Sequence, residues 1–443
     1  MNSVILTAPS KLEGTIFVPG SKSETNRYLL LAAQHKQPFR ITGASTAEDS
    51  RILVQAFSSL GFEIEEKEQE IAFSGKFHAP GSEIIPVWVG SGGTTLRFLV
   101  AFLATQDGIF EVSGTDQLAV RPLKPLIACL QNAGVRIEYK EGTFPVRIYG
   151  NSQWKPSQLT IEMTESSQFL SALLLLAPSF NTGTEIHFNT TTNDSEFQLS
   201  GSYIELTLQC LQELGMEWSR IPKGLKLELN QYQTSEVHIG GDWSSASYLL
   251  GAACLLPCRI ILQNLDLRSW QGDVEQLDLF LDWGGIIMSE TSEGLLIENE
   301  TGTKVKAFHQ DFSWTPDLVQ TFAVLATYAE EQSSITGIQS LKHKETDRIQ
   351  AIINELNKTG AMVWLENEEL IILPGMEMNT PDSFKTYQDH RMAMSLALLS
   401  AGRPMVRIEN PSVVIKSYPE FWDHLQAIGF KVQFRAGGAL PPR

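Results

Sequence analysis

Ser59-Leu60-Gly61-Phe62-Glu63-Ile64 joins an apolar, helix-like stretch to an alternating run through a single glycine. Ahead of that glycine, Leu53, Ala56, Phe57 and Leu60 share one helical face. Behind it, apolar and polar residues alternate with the two-residue period of a half-buried strand. Glycine suits the position just past a helix, where φ is usually positive and a Cβ is unwelcome. The same phrase recurs as Ala133-Gly134-Val135-Arg136-Ile137, Leu214-Gly215-Met216-Glu217-Trp218, Gly284-Gly285-Ile286-Ile287-Met288, Thr359-Gly360-Ala361-Met362-Val363 and Ile428-Gly429-Phe430-Lys431-Val432. These glycines stand roughly 70 to 80 residues apart, a spacing suited to repeated units of several elements each. Six units predict an α/β fold that divides most simply into two similar domains of three.

The division is expected near Gly240-Gly241-Asp242, making residues 20–241 the first three-unit domain. Thr15-Ile16-Phe17-Val18 reads as a strand ahead of the first full unit. Assigned to the other domain, residues 1–19 with 242–443, it requires the chain to cross between domains twice. Residues 435–443, with Gly437-Gly438 and Pro441-Pro442, read as a loosely held tail.

Composition narrows the function. With 443 residues, 42% hydrophobic and 19% charged, the chain buries large cores and exceeds one ordinary domain. A net charge of −17 argues against nucleic-acid or acidic-membrane partners, which need a cationic footprint. An anionic ligand must then be held by a local cluster of Lys and Arg. Cys129, Cys210, Cys254 and Cys258 have no C-x-x-C spacing and read as reduced core residues of a cytoplasmic protein, without zinc. Residues 1–15 have no cationic start before a long apolar core, so no secretory signal is expected. The longest apolar region, residues 247–262, is broken by Gly251, Pro257 and Arg259 and is too short to span a bilayer.

Several segments carry chemistry. Pro19-Gly20-Ser21-Lys22-Ser23-Glu24-Thr25-Asn26-Arg27 leads a small-residue turn into a helix starting near Ser21. Free N–H groups, the positive helix end, two hydroxyls and a lysine make it a candidate phosphate cradle. Gly90-Ser91-Gly92-Gly93-Thr94-Thr95-Leu96-Arg97 is a second such turn, with Thr94 as its candidate helix cap. Arg121 precedes Pro122, read as a helix-starting proline, and suits a bidentate carboxylate or phosphate contact. Thr164-Glu165-Ser166-Ser167-Gln168 sets hydroxyls and an amide at a helix start, and Ser200 and Tyr203 add hydroxyls downstream.

In the second half, Asp317 follows Pro316 at an apparent helix start, where a capping role is the simplest reading. Lys344-Glu345-Thr346-Asp347-Arg348 spaces two cations four residues apart, on one helical face, where they repel unless an anion or carboxylate neutralises them. Gln388-Asp389-His390-Arg391-Met392-Ala393-Met394 and Ile415-Lys416-Ser417-Tyr418-Pro419 complete the set, the methionines reading as core packing.

In this order, from Pro19-Gly20-Ser21-Lys22-Ser23 to Lys416-Ser417-Tyr418-Pro419, the segments resemble the 5-enolpyruvylshikimate-3-phosphate synthase family, the 3-phosphoshikimate 1-carboxyvinyltransferases. The resemblance implies two similar inside-out α/β domains, each of three repeats. It implies transfer of the enolpyruvyl group of phosphoenolpyruvate to the 5-hydroxyl of shikimate 3-phosphate, with release of phosphate. Two departures are Ser91 and Ser340, where members of the family often or in part carry Asn. A second member of the fold, UDP-N-acetylglucosamine enolpyruvyl transferase, carries a reactive cysteine near the first-domain arginine and Lys-Asn at the opening turn. Here residues 114–121 hold no cysteine and Ser23 follows Lys22. A noncatalytic anion-binding protein of this fold is expected to lose acids before cations, yet Asp317 and Glu345 are kept.

The resemblance further implies residue roles. Ser23, Arg27, Ser166, Ser167, Ser200 and Tyr203 would bind shikimate 3-phosphate, with Lys22 shared between substrates. Gly93, Arg121, Gln168, Arg348, Arg391 and Lys416 would surround phosphoenolpyruvate, and glyphosate would occupy the same cationic space. Asp317 would orient or deprotonate the hydroxyl and Glu345 would move the proton at C3, with Lys344 and His390 as second choices for positioning and proton traffic. No Walker loop or H-E-x-x-H spacing occurs, so neither cofactor nor metal is expected, and the chain is expected to act as a monomer.

Overall fold

The computed structural model describes residues 2–77, 83–163, 166–180, 183–189, 201–229, 233–302, 305–375 and 379–436. It forms two compact units, Gly20–Ile239 and Met1–Pro19 with Gly240–Arg443, called here the middle and split domains. The cut falls after Ile239, two residues ahead of the boundary expected from sequence.

All six repeat glycines take positive φ: 98° at Gly61, 96° at Gly134, 90° at Gly215, 67° at Gly285, 91° at Gly360 and 109° at Gly429. They follow the helices Glu48–Ser59, Lys124–Asn132, Gly201–Glu213, Leu277–Asp282, Arg348–Leu356 with its 3₁₀ extension Asn357–Thr359, and Phe421–Ala427. A strand begins within two residues of each glycine. Behind Gly134 and Gly429, Val135 and Phe430 donate back to Leu130 and Leu425, closing the helix end with the hydrogen bond that a left-handed residue permits.

Five sheets share one strand order. In the second unit, Ile84–Trp88 lies parallel to Gly108–Ser113, followed by antiparallel Val146–Gly150 and Arg136–Glu138. The first and fourth units exchange their outer strands. Leu12–Phe17 precedes the first unit in sequence but pairs with Cys258–Gln263 of the fourth. Glu236–His238 precedes the fourth unit but pairs with Phe39–Thr42 of the first. In the sixth sheet Ser3–Thr7 fills an inner place, antiparallel to both Val406–Glu409 and Lys431–Arg435, and the outer strand shrinks to one bridge, Phe384 to Ile408.

Helices form the core of each domain. In Gly93–Ala104 every residue but Thr94 is buried, in Trp243–Leu255 every residue but Ser244, and His390–Ala397 is buried throughout. Such burial calls for apolar residues on nearly every side, and Arg97, His390 and Arg391 are the charged or ionisable exceptions. The strands alternate instead: in Gln158–Glu162 only Leu159 and Ile161 are buried. Each domain has its own apolar cluster. In the middle domain Phe57 meets Phe62, Phe73 and Phe102 edge-on, with ring centroids 5.3 to 6.0 Å apart, a favoured aromatic geometry. The broken apolar stretch resolves into Trp243–Leu255 and the strand after it, and no described helix is long and apolar enough to cross a membrane. All four cysteines are free and buried.

Candidate active site

In the middle domain, helix Lys22–Gln34 begins at Ser21, whose hydroxyl accepts from the Glu24 N–H at 3.3 Å. Lys22 reaches Asp49 at 3.0 Å, and Asp49 is itself buried. Arg27 lies one turn on but points into protein. Nη1 donates to the Ser23 carbonyl at 2.7 Å, Nη2 to the Tyr203 carbonyl at 2.9 Å and Nε to Thr207 Oγ1 at 2.8 Å. Its guanidinium also stands over the rings of Phe98 and Tyr203. Burial lowers its pKa, because these neutral oxygens compensate only part of the lost hydration. The resemblance gives Arg27 to shikimate 3-phosphate together with Ser23 and Lys22; three of its five donors already go to Ser23, Tyr203 and Thr207.

The second glycine turn and Arg121 do come together. A Cβ built on Gly93 would lie 2.7 to 2.8 Å from the Arg121 guanidinium, so glycine lets that guanidinium lie flat against the backbone. Helix Gly93–Ala104 starts from Gly92 without a side-chain cap, correcting the role expected of Thr94. Pro122 also differs from expectation. The next helix, Lys124–Asn132, has Pro125 in its first turn, and the Pro122 carbonyl accepts from Arg97 at 2.7 and 3.2 Å. Buried Arg97 additionally donates to Gln168 Oε1, which fixes the oxygen end of that amide. Helix Gln168–Leu174 starts at Ser167, with the Ser166 hydroxyl accepting from Gln168 N at 3.2 Å. Tyr203 sits in helix Gly201–Glu213, and Ser200 lies outside the described residues.

The split domain gathers the other group around Arg348, which is 1% exposed. Nη1 meets Asp317 Oδ1 at 2.9 Å, Nη2 meets Glu345 Oε2 at 2.9 Å, and Nε meets Asp389 Oδ2 at 2.7 Å. Arg391 takes Asp317 Oδ2 at 2.8 Å, and Lys416 takes Glu345 Oε1 at 3.2 Å. Both oxygens of Asp317 and both of Glu345 therefore touch cations. Burial alone would lower the Arg348 pKa, but the charges of Asp389, Glu345 and Asp317 outweigh it and raise the pKa. Asp317 lies in a 3₁₀ turn, Pro316–Leu318, and caps no helix: two arginines take its carboxylate instead. Lys344 is also not helical. Asp347 caps helix Arg348–Leu356 by accepting from Gln350 N at 3.1 Å, which starts the helix too late for Lys344 and Arg348 to share a face. His390 is the first residue of its helix, buried, with Nδ1 4.0 Å from Asp389 Oδ1.

Asp389, Asp49, Arg97 and Asp273 went unassigned in the sequence reading. Asp389 carries a readable signal: an Asp before an apolar helical run is a cap, and here it accepts from Arg391 N at 2.8 Å while holding Arg348. Asp273 has no such signal. It accepts a hydrogen bond from Ser244, and burial pushes its carboxyl up to about 7, against the pull of that hydrogen bond and of Arg391. Burial likewise pushes Tyr248, hydrogen-bonded by Arg391 at 3.2 Å, up to about 12.

Solved structures of similar fold include an EPSP synthase from Acinetobacter baumannii, with TM-score 0.76 and 22% identity over 98% of this chain and 100% of that one. The enolpyruvyl transferase NikO from Streptomyces tendae also matches, with TM-score 0.74 and 14% identity over 97% and 98%. The fold is thus that of the enolpyruvyl transferases. The profile of the EPSP synthase (3-phosphoshikimate 1-carboxyvinyltransferase) family matches residues 6–425. Proteins named 3-phosphoshikimate 1-carboxyvinyltransferase from Bacteroides fragilis and Paraburkholderia phytofirmans are 33% and 32% identical. The alignments cover 97% and 95% of this chain, and 98% and 97% of those proteins. The chain belongs to the EPSP synthase family.

Proposed function

We infer that the two charged clusters serve the reaction of this family: transfer of the enolpyruvyl group of phosphoenolpyruvate to the 5-hydroxyl of shikimate 3-phosphate, on the way to chorismate and the aromatic amino acids. The observation carrying the reading is the sharing of Arg348 by Asp317 and Glu345, each flanked by a second cation, Arg391 or Lys416. A carboxylate bound to two cations is a weak base. An arriving phosphate or carboxylate competes for those cations, and each acid it displaces becomes free to move a proton. Asp317 then orients or deprotonates the 5-hydroxyl as it attacks C2, and Glu345, once its cations are drawn to the anion and it has taken up a proton from solvent, delivers that proton to C3. The tetrahedral adduct collapses with loss of a C3 proton and phosphate.

Lys22, Ser23, Ser166, Ser167 and Tyr203, with Ser200, bind shikimate 3-phosphate in this reading, and Arg27 holds Ser23 and Tyr203 by their carbonyls. Gly93, Arg121 and Gln168 act on phosphoenolpyruvate, as do Arg348, Arg391 and Lys416; Lys344 and His390 assist in positioning. The enzyme works in the cytoplasm as a monomer, a net charge of −17 keeping copies apart. Phosphate release tests the whole. It should require phosphoenolpyruvate with shikimate 3-phosphate and fail with shikimate or UDP-N-acetylglucosamine; release with the nucleotide sugar alone would overturn the acceptor.

A further inference from the structure

We propose that Glu355 is a positioning residue for the split-domain cluster, holding residues 385–388 in a backbone conformation they would otherwise leave and thereby setting Asp389 and Arg391 in place. The proposal rests on the function read above, in which Asp317, Arg348 and Arg391 take part.

Tyr387 and Gln388 have φ of 53° and 57°, two consecutive non-glycine residues in the left-handed region. That conformation crowds Cβ against the carbonyl and persists only where surroundings impose it. The next residue is Asp389, which binds Arg348 and receives the Arg391 N–H. The segment is pinned on both sides of the left-handed pair. Upstream, Phe384 exchanges backbone hydrogen bonds with Arg407 and Glu409 at 2.8 and 2.9 Å. Glu355, wholly buried, then accepts from Lys385 N at 2.9 Å and from the Tyr387 hydroxyl at 2.8 Å. Downstream, Arg348 holds the Asp389 carboxylate.

Glu355 and Arg348 are seven residues apart on one helix, Arg348–Leu356. That helix grips the segment at two points, with the disfavoured turn between them. Lys358, at 2.5 Å from Glu355, supplies the charge that lets this carboxylate stay buried. Burial and the hydrogen bond to Glu355 raise the Tyr387 pKa, so the phenol remains a donor. With Glu355 removed, residues 387–388 are free to relax, and the Asp389 carboxylate shifts from Arg348 and the Arg391 N–H.

Glu355→Gln should lower kcat at least 10-fold, and Tyr387→Phe, which removes one of the two holds, should lower it less. Adding Gln388→Gly to Glu355→Gln should restore much of the loss, because glycine accepts positive φ without the Cβ penalty. Gln388→Gly alone should leave activity near the parental level. Amide hydrogen exchange across residues 385–391 reads the segment without substrate: it should quicken in Glu355→Gln and slow again in the double variant. Unaltered kcat in a folded but less stable Glu355→Gln would reduce Glu355 to a structural residue. Failure of Gln388→Gly to restore either rate or protection would overturn the backbone argument. Loss of exchange protection in a chain without transferase activity would leave the positioning role standing and count against the assigned reaction. Should Glu355→Gln not fold, Tyr387→Phe with and without Gln388→Gly decides by the same two readouts.

Discussion

Arg27 and Arg348 are both buried helical arginines, and they are satisfied by opposite chemistry. Arg27 donates to two carbonyls and a hydroxyl, whereas Arg348 meets three carboxylates. The contrast extends to their surroundings. Beside Arg27, Glu24 adds a negative charge and Lys22 pairs with buried Asp49; beside Arg348, Arg391 and Lys416 hold the second oxygens of Asp317 and Glu345. The middle-domain arginine is thus held mainly by neutral oxygens. The split domain is balanced until an anion displaces one of its own acids. On the proposed roles, a pocket that holds a phosphate and a centre that moves protons have different electrostatic needs, and the two arginine environments differ in that sense.

The largest expected effect separates these roles. Glu345→Gln and Asp317→Asn should each lower kcat by about 10²- to 10⁴-fold, the contribution of a positioned acid or base, with KM little changed. Lys22→Ala should damage KM and kcat together. Near-full activity in both folded amide variants would dissolve the division of labour.

Stability offers the second test. Arg348→Met strands the buried Asp389 carboxylate and takes one of two cations from Asp317 and from Glu345, and should cost about 3–5 kcal/mol at neutral pH, shrinking in acid as the ion pairs weaken. Arg27→Met leaves only neutral acceptors and should cost about 1–3 kcal/mol with little dependence on pH. Denaturation midpoints measured at pH 5 and 7.5 compare them; equal costs with equal pH dependence would refute the contrast.

Asp273 sharpens it further, since Asp49 has an ammonium partner and Asp273 only a serine hydroxyl. Its carboxyl is raised from 3.8 to about 7, so between those values the folded protein binds the more protons. Its contribution to stability is then full below about pH 4 and is lost as pH rises towards 7. Asp273→Asn should flatten that decline in thermal midpoint across pH 4 to 7. An unchanged slope would show that Asp273 is ionised throughout.

The smallest effect belongs to Gly93→Ala. The added methyl must push the Arg121 guanidinium aside, raising KM for phosphoenolpyruvate by about 10-fold, within the range of steric discrimination. Competitive inhibition by glyphosate should weaken more than that. Equal loss of both ligands would count against the steric account.

What could be read from sequence followed how local the physics is. The six glycines answer to backbone geometry at one residue, and each is where the period placed it. Helix termini were read less well where two signals competed: Asp347 over Lys344, Pro125 over Pro122, Gly92 over Thr94. The facing of long side chains was not readable at all. Nothing near Arg27 in sequence announces Thr207, and nothing near Asp273 announces Ser244, because those partners are brought by packing. Asp317 looked like a cap because sequence shows its helix and hides both arginines.

The strand Ser3–Thr7 sets a timetable. Its partners, Val406–Glu409 and Lys431–Arg435, are synthesised about 400 residues later, or roughly 20 to 80 s at ordinary translation rates. Throughout that interval the strand has neither neighbour, while residues 20–239 can already assemble among themselves. The split domain is the last to close, so newly made chains pass through a stage in which the other domain can be complete while this sheet lacks both neighbours of its first strand.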